Sequence, residues 1–523
     1  MSSLLTEESY DRFWKRDGSL WSSDPAVQEF IHSFMGWTDI AERMQAQVPD
    51  LVAFAEQVKA DGFTDVLVCG MGGSSLGSLV LRDVFGGSSS LRVHVLDSTS
   101  PGTVLRFRRE LPLATTLFLV ASKSGATVEP KAFEDYFWKE ANEELGDKAK
   151  QHFVAITDPG SMMEKQSKER GYRRIFLGDP EIGGRFSVLS IFGLVTASLL
   201  GVNLEDFLAN AIAKSQSAAV DGEGHPGFTF GTWLSDNALA GREKVTLFTS
   251  PGLESFGLWA EQLVAESTGK GGQGVLPVAM EPVKQLDQYG DDRVFVGLRY
   301  DDSRGAQVTK LGQAMEALGH PYIERVLTSE LDLAGEMFVW EVATAVAGAG
   351  LQLNPFDQPN VESAKVLARK KLGEITQGDS KGLTGGFASG GCTFYGAAGL
   401  GEFLSEAPAN PYVAFLAYLD EDEATNAFFD QLRLGIPYVT SFGYGPRYLH
   451  STGQYHKGGP DNGLFVLILG EDKQDVKIPG MGVTFGQLKR AQAIGDMEAL
   501  QAEGRPVLLV TTRQLSDLTA LLD

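Results

Sequence analysis

The sequence predicts an α/β protein: two doubly wound parallel-sheet domains in tandem, a helical segment before them and a C-terminal α/β extension after them. Two observations predict it. Short strand-like runs recur through residues 64–329 with helical stretches between them, the alternation that gives parallel, doubly wound sheets. In addition, 523 residues with 43% hydrophobic and 22% charged residues are enough for two or three globular domains, each with its own core.

Residues 1–62 form the helical segment, with apolar residues at three and four spacing over Pro25 to Met44 and Pro49 to Lys59. The first domain, 63–220, carries TDVLVCG (64–70), LRVHVLD (91–97), TTLFLVAS (115–122), FVAITD (153–158) and RRIFLG (173–178). It also carries FSVLSIFGLVTASLLGVN (186–203), which Ser, Thr, Gly and Asn mark as a buried helix rather than a membrane span. The second domain, 221–370, carries EKVTLFTS (243–250), GVLPVAM (274–280), RVFVGLRY (293–300) and YIERVLTS (322–329). From 371 to 523 the pattern loosens: GLTGGFASGG (382–391) reads as a loop, followed by YVAFLAYL (412–419), LFVLIL (464–469) and PVLLVTT (506–512). No repeat of fixed period is present.

The totals exclude several classes. A net charge of -23 with no basic run is wrong for nucleic acid, whose phosphates need a basic face. It leaves room for a small anion, because screening over about 8 Å lets local cations and backbone N–H groups dominate a pocket. The N-terminus lacks the apolar core of a secretory signal, and two distant cysteines, Cys69 and Cys392, suit a reducing cytoplasmic setting.

Five segments carry candidate chemistry. CGMGGSSLGS (69–78) follows a strand; its glycines, Gly73 among them, admit a ligand close to the backbone, and Ser74 can cap the next helix where it faces an anion. It is neither a dinucleotide fingerprint nor a P-loop. ASKSGATVEP (121–130) sets Ser122, Lys123, Ser124 and Thr127 around a turn, donors suited to a phosphate monoester; the alternative is a solvated cap with Glu129 in its first turn. Two such loops after parallel strands fit the rule that open α/β sheets bind ligands at the carboxyl ends of their strands. EIGGRFSVLS (181–190) presents Arg185 after two glycines, placed to meet a buried anion or simply solvent. In WAEQLVAESTGKGG (259–272), Gln262 and Glu266 share a helix face, making Glu266 a candidate general base. NPFDQPNVESAKVLARKK (354–371) places Gln358 and Lys365 across a loop entering a helix.

Together GMGGSSLG, SKSGATVEP, GGRFSVLS, QLVAESTGK and FDQPNVESAK resemble the glucose-6-phosphate isomerase (phosphoglucose isomerase) family, in family order over about 300 residues, and most closely the isomerase half of transaldolase/isomerase fusions. No transaldolase barrel is expected ahead of them. The resemblance implies two sugar-isomerase (SIS) domains, each a three-layer αβα sandwich. It also implies interconversion of glucose 6-phosphate and fructose 6-phosphate in glycolysis and gluconeogenesis through a cis-enediol, with no metal and no cofactor. Catalytic roles carry to Glu266 as base, Arg185 as stabilising cation, and Lys365 with a histidine for ring opening. Substrate binding carries to Gly73, Ser74, Ser122, Lys123, Ser124, Thr127, Gln262 and Gln358.

The histidine is out of the family's usual order. LHSTGQ (449–454) resembles the bacterial form of its motif but follows Lys365, so the role falls to His450, leaving His456 as a loop residue and His320 as a pre-strand residue. Family members usually pair as homodimers with the histidine donated by the partner, and the displaced motif opens a self-contained monomer as the alternative. Other phosphosugars, mannose or glucosamine 6-phosphate, and a non-catalytic SIS-domain sensor are the competing functions. No nucleic acid or membrane partner is expected.

Overall fold

The structure, a computed structural model, describes residues 6–216, 224–376, 383 and 385–522. Three sheets organise it. β1 (Asp65–Cys69), β2 (Arg92–Leu96), β3 (Thr116–Ala121), β4 (Phe153–Thr157) and β5 (Arg174–Leu177) form an all-parallel sheet in the order β2-β1-β3-β4-β5. β6 (Lys244–Thr249), β7 (Leu276–Val278), β8 (Arg293–Tyr300) and β9 (Tyr322–Leu327) form a second all-parallel sheet in the order β7-β6-β8-β9. Each of these nine strands falls within one of the apolar runs of 64–329. The expected boundary between residues 220 and 221 lies outside the described residues.

The C-terminal extension is a third α/β unit built on a six-stranded sheet in the order β10-β11-β15-β14-β12-β13. Its strands are β10 (Phe387–Ser389), β11 (Cys392–Tyr395), β12 (Tyr412–Tyr418), β13 (Val439–Tyr444), β14 (Gly463–Gly470) and β15 (Val507–Thr512). β10 and β11 make an antiparallel edge hairpin, so the glycine-rich stretch read as a loop is in part a strand and its turn; its residues 382 and 384 lie outside the described set. β12 shows how the sheet is buried on both faces. Val413, Phe415 and Ala417 enter one apolar cluster, while Tyr412, Ala414, Leu416 and Tyr418 enter another. That second cluster also takes in Ala265, Tyr448 and Tyr455, which draws the histidine-bearing segment onto the helix of Glu266.

The N-terminal segment fills the space between the first two units. The expected helix over Pro25 to Met44 is broken: Pro25–Ser33 is helical, and then Met35 bridges Ile182 and the Gly36 N–H donates to the carbonyl of Glu181, pulling the chain out of the helix. Trp37 stacks on Phe186 at 5.1 Å, beneath the loop of Arg185, and Trp21 donates its indole N–H to the Ala345 carbonyl at 2.7 Å. These contacts belong to one large core that runs from the N-terminal helices through the Ile191–Leu199 helix to the Leu333–Gly350 helix. Among the described residues no helix is long and apolar enough to cross a membrane.

Close backbone approach fixes the loop after β1. A Cβ on Gly73 would fall on the Gly184 carbonyl oxygen, so the serine loop and the arginine loop touch main chain to main chain. Gly73→Ala is therefore expected to lower stability by about 1–3 kcal/mol, seen as a reduced Tm. An unchanged Tm would mean that the two loops can part without cost.

Candidate active site

The segments converge where the carboxyl ends of β1 and β3 open. A cleft of about 170 Å³ is lined by Ser124, Thr127 and Glu129 from one loop, Lys365 from the helix Pro359–Thr376, His450, and Gln492 from the helix Phe485–Ala502. Ser122 donates its hydroxyl to Thr127 at 3.4 Å, and the Ala126 N–H bonds Ser124 at 3.2 Å, which shapes the turn into the helix Val128–Leu145. Hydroxyls and a helix N-terminus at this position suit an anion. Ser74 ends the short Gly72–Ser74 turn after β1. Gly72, at φ 56, leaves room that a Cβ would take from Gln262 Nε2 at 2.8 Å and from the His450 carbonyl at 2.9 Å.

Lys123 departs from its expected place. Its ammonium reaches Asp158 at 2.7 Å and the Asp179 carbonyl at 2.9 Å, and it lies over the Phe192 ring, beneath the serine turn rather than along the cleft. Burial pushes its amine down despite Asp158 beside it.

Arg185 is caged. Its guanidinium donates to Ser267 Oγ at 2.7 Å, Gln358 Oε1 at 3.0 Å, and the carbonyls of Pro355 and Asp357 at 2.6 and 3.0 Å. Side-chain exposure is 4%, and Nη1 stands 3.6 Å from Glu266 Oε1. The other Glu266 oxygen accepts from Gln262 Nε2 at 3.1 Å, and the same amide nitrogen donates to the His450 carbonyl at 2.8 Å. Helical spacing puts Gln262 and Glu266 on one face, as the sequence implied, and Gln262 also ties Glu266 to the histidine segment. Gln358 acts on Arg185 directly, holding its guanidinium.

His450 Nε2 lies 3.1 Å from Glu129 Oε1. Burial alone would raise the Glu129 carboxyl, but the neighbouring His450 and Lys365 outweigh it, and the group is held below its ordinary value. A carboxylate at Nε2 fixes the proton there and leaves Nδ1 as the free nitrogen. Glu129 is thus a buried partner of His450, which rules out the alternative of a solvated cap. Gln492 Nε2 donates to the same Glu129 oxygen at 2.7 Å, and Gln492 Oε1 accepts from Thr99 at 2.7 Å. Neither residue stands in a recognisable motif; only the packing of the last long helix brings them in.

Two further residues were not legible. Lys270 joins Asp357 at 2.6 Å and bonds the Asn354 carbonyl, closing the loop that wraps Arg185. Gln454 is fully buried; it donates to the Gly269 carbonyl at 2.9 Å and accepts from the Asn360 N–H at 2.9 Å. His456, expected in a loop, is buried in the short helix Gly453–Gly458 with Nδ1 3.0 Å from Tyr412 Oη. His320 precedes β9, packed edge-on against Phe295. Among the described residues no cluster of three His, Cys, Asp or Glu side chains could hold a metal ion.

Comparison with known proteins identifies similar chains. The profile of the family described as phosphoglucose isomerase matches residues 39–273. A glucose-6-phosphate isomerase of Rubrobacter xylanophilus is 30% identical over 366 residues, covering 61% of this chain and 85% of that protein. The crystal structure of hypothetical protein TT0462 from Thermus thermophilus superposes with a TM-score of 0.62 at 25% identity, over 70% of this chain and 95% of that one. The glucose-6-phosphate isomerase of Chlamydia trachomatis shares the fold, with a TM-score of 0.55 at 24% identity over 69% of this chain and 78% of that one.

Lys270 gives a pH test. Burial, with Arg185 close by, lowers its amine from 10.5 to about 8. Between those values the unfolded chain holds a proton that the folded chain does not, so stability from this group rises with pH. The cost, about 3 kcal/mol at roughly 1.4 kcal/mol per pH unit, is present in full below pH 8 and is relieved as pH climbs through that window. Lys270→Met is expected to lose this rise, so Tm against pH above 8 should climb less steeply in the variant. Parallel curves would show that Lys270 is not depressed.

Proposed function

The chain belongs to the phosphoglucose isomerase family, and we propose that Glu266, Arg185, Lys365 and His450 carry out its reaction. That reaction is the interconversion of glucose 6-phosphate and fructose 6-phosphate, an aldose–ketose isomerisation at the junction of glycolysis and gluconeogenesis. Its chemical difficulty is moving a proton between C1 and C2 beside a carbonyl.

The observation that carries the assignment is the Glu266–Arg185 pair, base and cation 3.6 Å apart in a site where Arg185 is all but inaccessible. Glu266 takes the proton from one carbon and returns it to the other through a cis-enediolate. Arg185 offsets the negative charge that develops on the enediolate oxygens, and its cage means that little reorganisation is needed as that charge appears. Gln262 holds one Glu266 oxygen, leaving the other for the substrate. His450, oriented by Glu129, and Lys365 across the cleft handle the protons of ring opening.

The phosphate is assigned to Ser74, Ser122, Ser124 and Thr127 at the N-terminus of the Val128–Leu145 helix. Lys123 supports that turn from below through Asp158 and Asp179. Binding energy from this non-reacting group orients the sugar at Glu266. The two free, buried cysteines suit a cytoplasmic enzyme.

Glu129, Gln262 and Lys365 meet the His450 segment within one chain, so the site is read as complete within a protomer, whether or not the protein pairs. Glu266→Gln is expected to lower kcat by about 10²- to 10⁴-fold while fructose 6-phosphate still binds; retained turnover would remove the base assignment. Mixing Glu266→Gln with His450→Ala chains is expected to restore no activity. Recovery on mixing would instead show a site shared between subunits.

A further inference from the structure

A second cavity, of about 400 Å³, lies on the opposite side of the segment that carries His450. Arg447, Tyr448, Ser451 and Thr452 line it, whereas Leu449 and His450 line the catalytic cleft, so one stretch of chain separates the two spaces. It opens at the carboxyl ends of β6 and β13, whose last residues, Thr249 and Tyr444, form part of its wall. Both the size and the position are those of ligand sites in parallel sheets.

Its chemistry differs from that of the cleft. Glu254 and Glu261 face it together with the rings of Phe442 and Tyr444, while Glu421 and Asp430 in the same wall pair with Arg447 and Arg433. The two arginines in the wall are already engaged, in part by those two acids. Arg447 is gripped by Asp97 at 2.7 Å and Glu421 at 2.6 Å, and Arg433 is held by Thr440 and the Met280 carbonyl. Glu261 is 5% exposed; Oε1 accepts from the Ala279 N–H at 2.9 Å, and Oε2 has no hydrogen-bond partner among the described residues. An unpartnered oxygen on a carboxyl this deeply buried, in a wall of acids and aromatic rings whose arginines are already engaged, asks for a donor that carries positive charge.

We propose that this cavity binds a small organic ammonium, its charge on Glu261 and its apolar body against Leu258, Phe442 and Tyr444. Burial raises the Glu261 carboxyl to about 8, so below that pH the ammonium binds by displacing the carboxyl proton. Phosphate esters are excluded by the same walls, which keeps the two spaces chemically distinct.

The test is calorimetric titration of the whole protein with 2-phenylethylammonium chloride and, separately, with sodium phenylacetate, an anion of similar shape. Saturable one-site binding of the amine is expected, with none for phenylacetate and no displacement by saturating fructose 6-phosphate. Glu261→Gln should weaken the amine by about tenfold or more. Val283→Trp, at the exposed mouth of the cavity, should block it. Turnover of fructose 6-phosphate reports that each variant is folded. No binding of the amine, undiminished binding in both variants, or competition with the sugar phosphate would each overturn the proposal.

Discussion

The proposed active site depends on how residues 447–458 seat between the second and third sheets. Four ties converge on this one segment. Gln262 reaches the His450 carbonyl, Gln454 bridges Gly269 and Asn360, Glu129 meets the His450 ring, and Lys457 pairs with Asp496 at 2.5 Å, with both side chains 1% exposed. Buried polar groups are costly when unmet, so each tie favours this one placement over any other. Gly458 completes the fit, since a Cβ there would crowd the Gly269 carbonyl at 2.6 Å. The residues that anchor the histidine are the same ones that end the helix of the base and begin the helix of Lys365.

Arg185 shows the complementary principle. A guanidinium out of water is unfavourable unless its donors are met, and here three carbonyl or amide oxygens and a hydroxyl meet them. The partners are neutral, so the positive charge is oriented without being cancelled by a contact ion pair. Glu266, the nearest carboxylate, stands off by 3.6 Å, leaving the cation's field available where a reacting oxygen would lie.

Much of this was readable before any fold was known, because local rules decide it. Strands buried on both faces read as apolar runs, loops after parallel strands point at ligands, and a four-residue spacing puts Gln262 and Glu266 on one face. The remainder depended on packing. Glu129 looks like any first-turn glutamate until the third sheet sets His450 against it. Gln492 sits in an ordinary amphipathic helix, and Lys123, adjacent to two serines of the turn, swings to the far side because Asp158 lies beneath it. The hairpin of β10 and β11 was hidden by glycines that signal a loop as readily as a turn.

The position of the LHSTGQ segment also sets an order of events during synthesis. Serine loops, arginine, base and lysine leave the ribosome in that sequence, all before His450, and Gln492 follows last. β15 must slot between β11 and β14, a pairing across more than a hundred residues on one side, before the third sheet is whole. A nascent chain can therefore form the first two sheets and the serine turn well before the segment of His450 is in place. On the proposed assignment, chemistry must wait for His450 to emerge and for the strands of the third sheet to seat it.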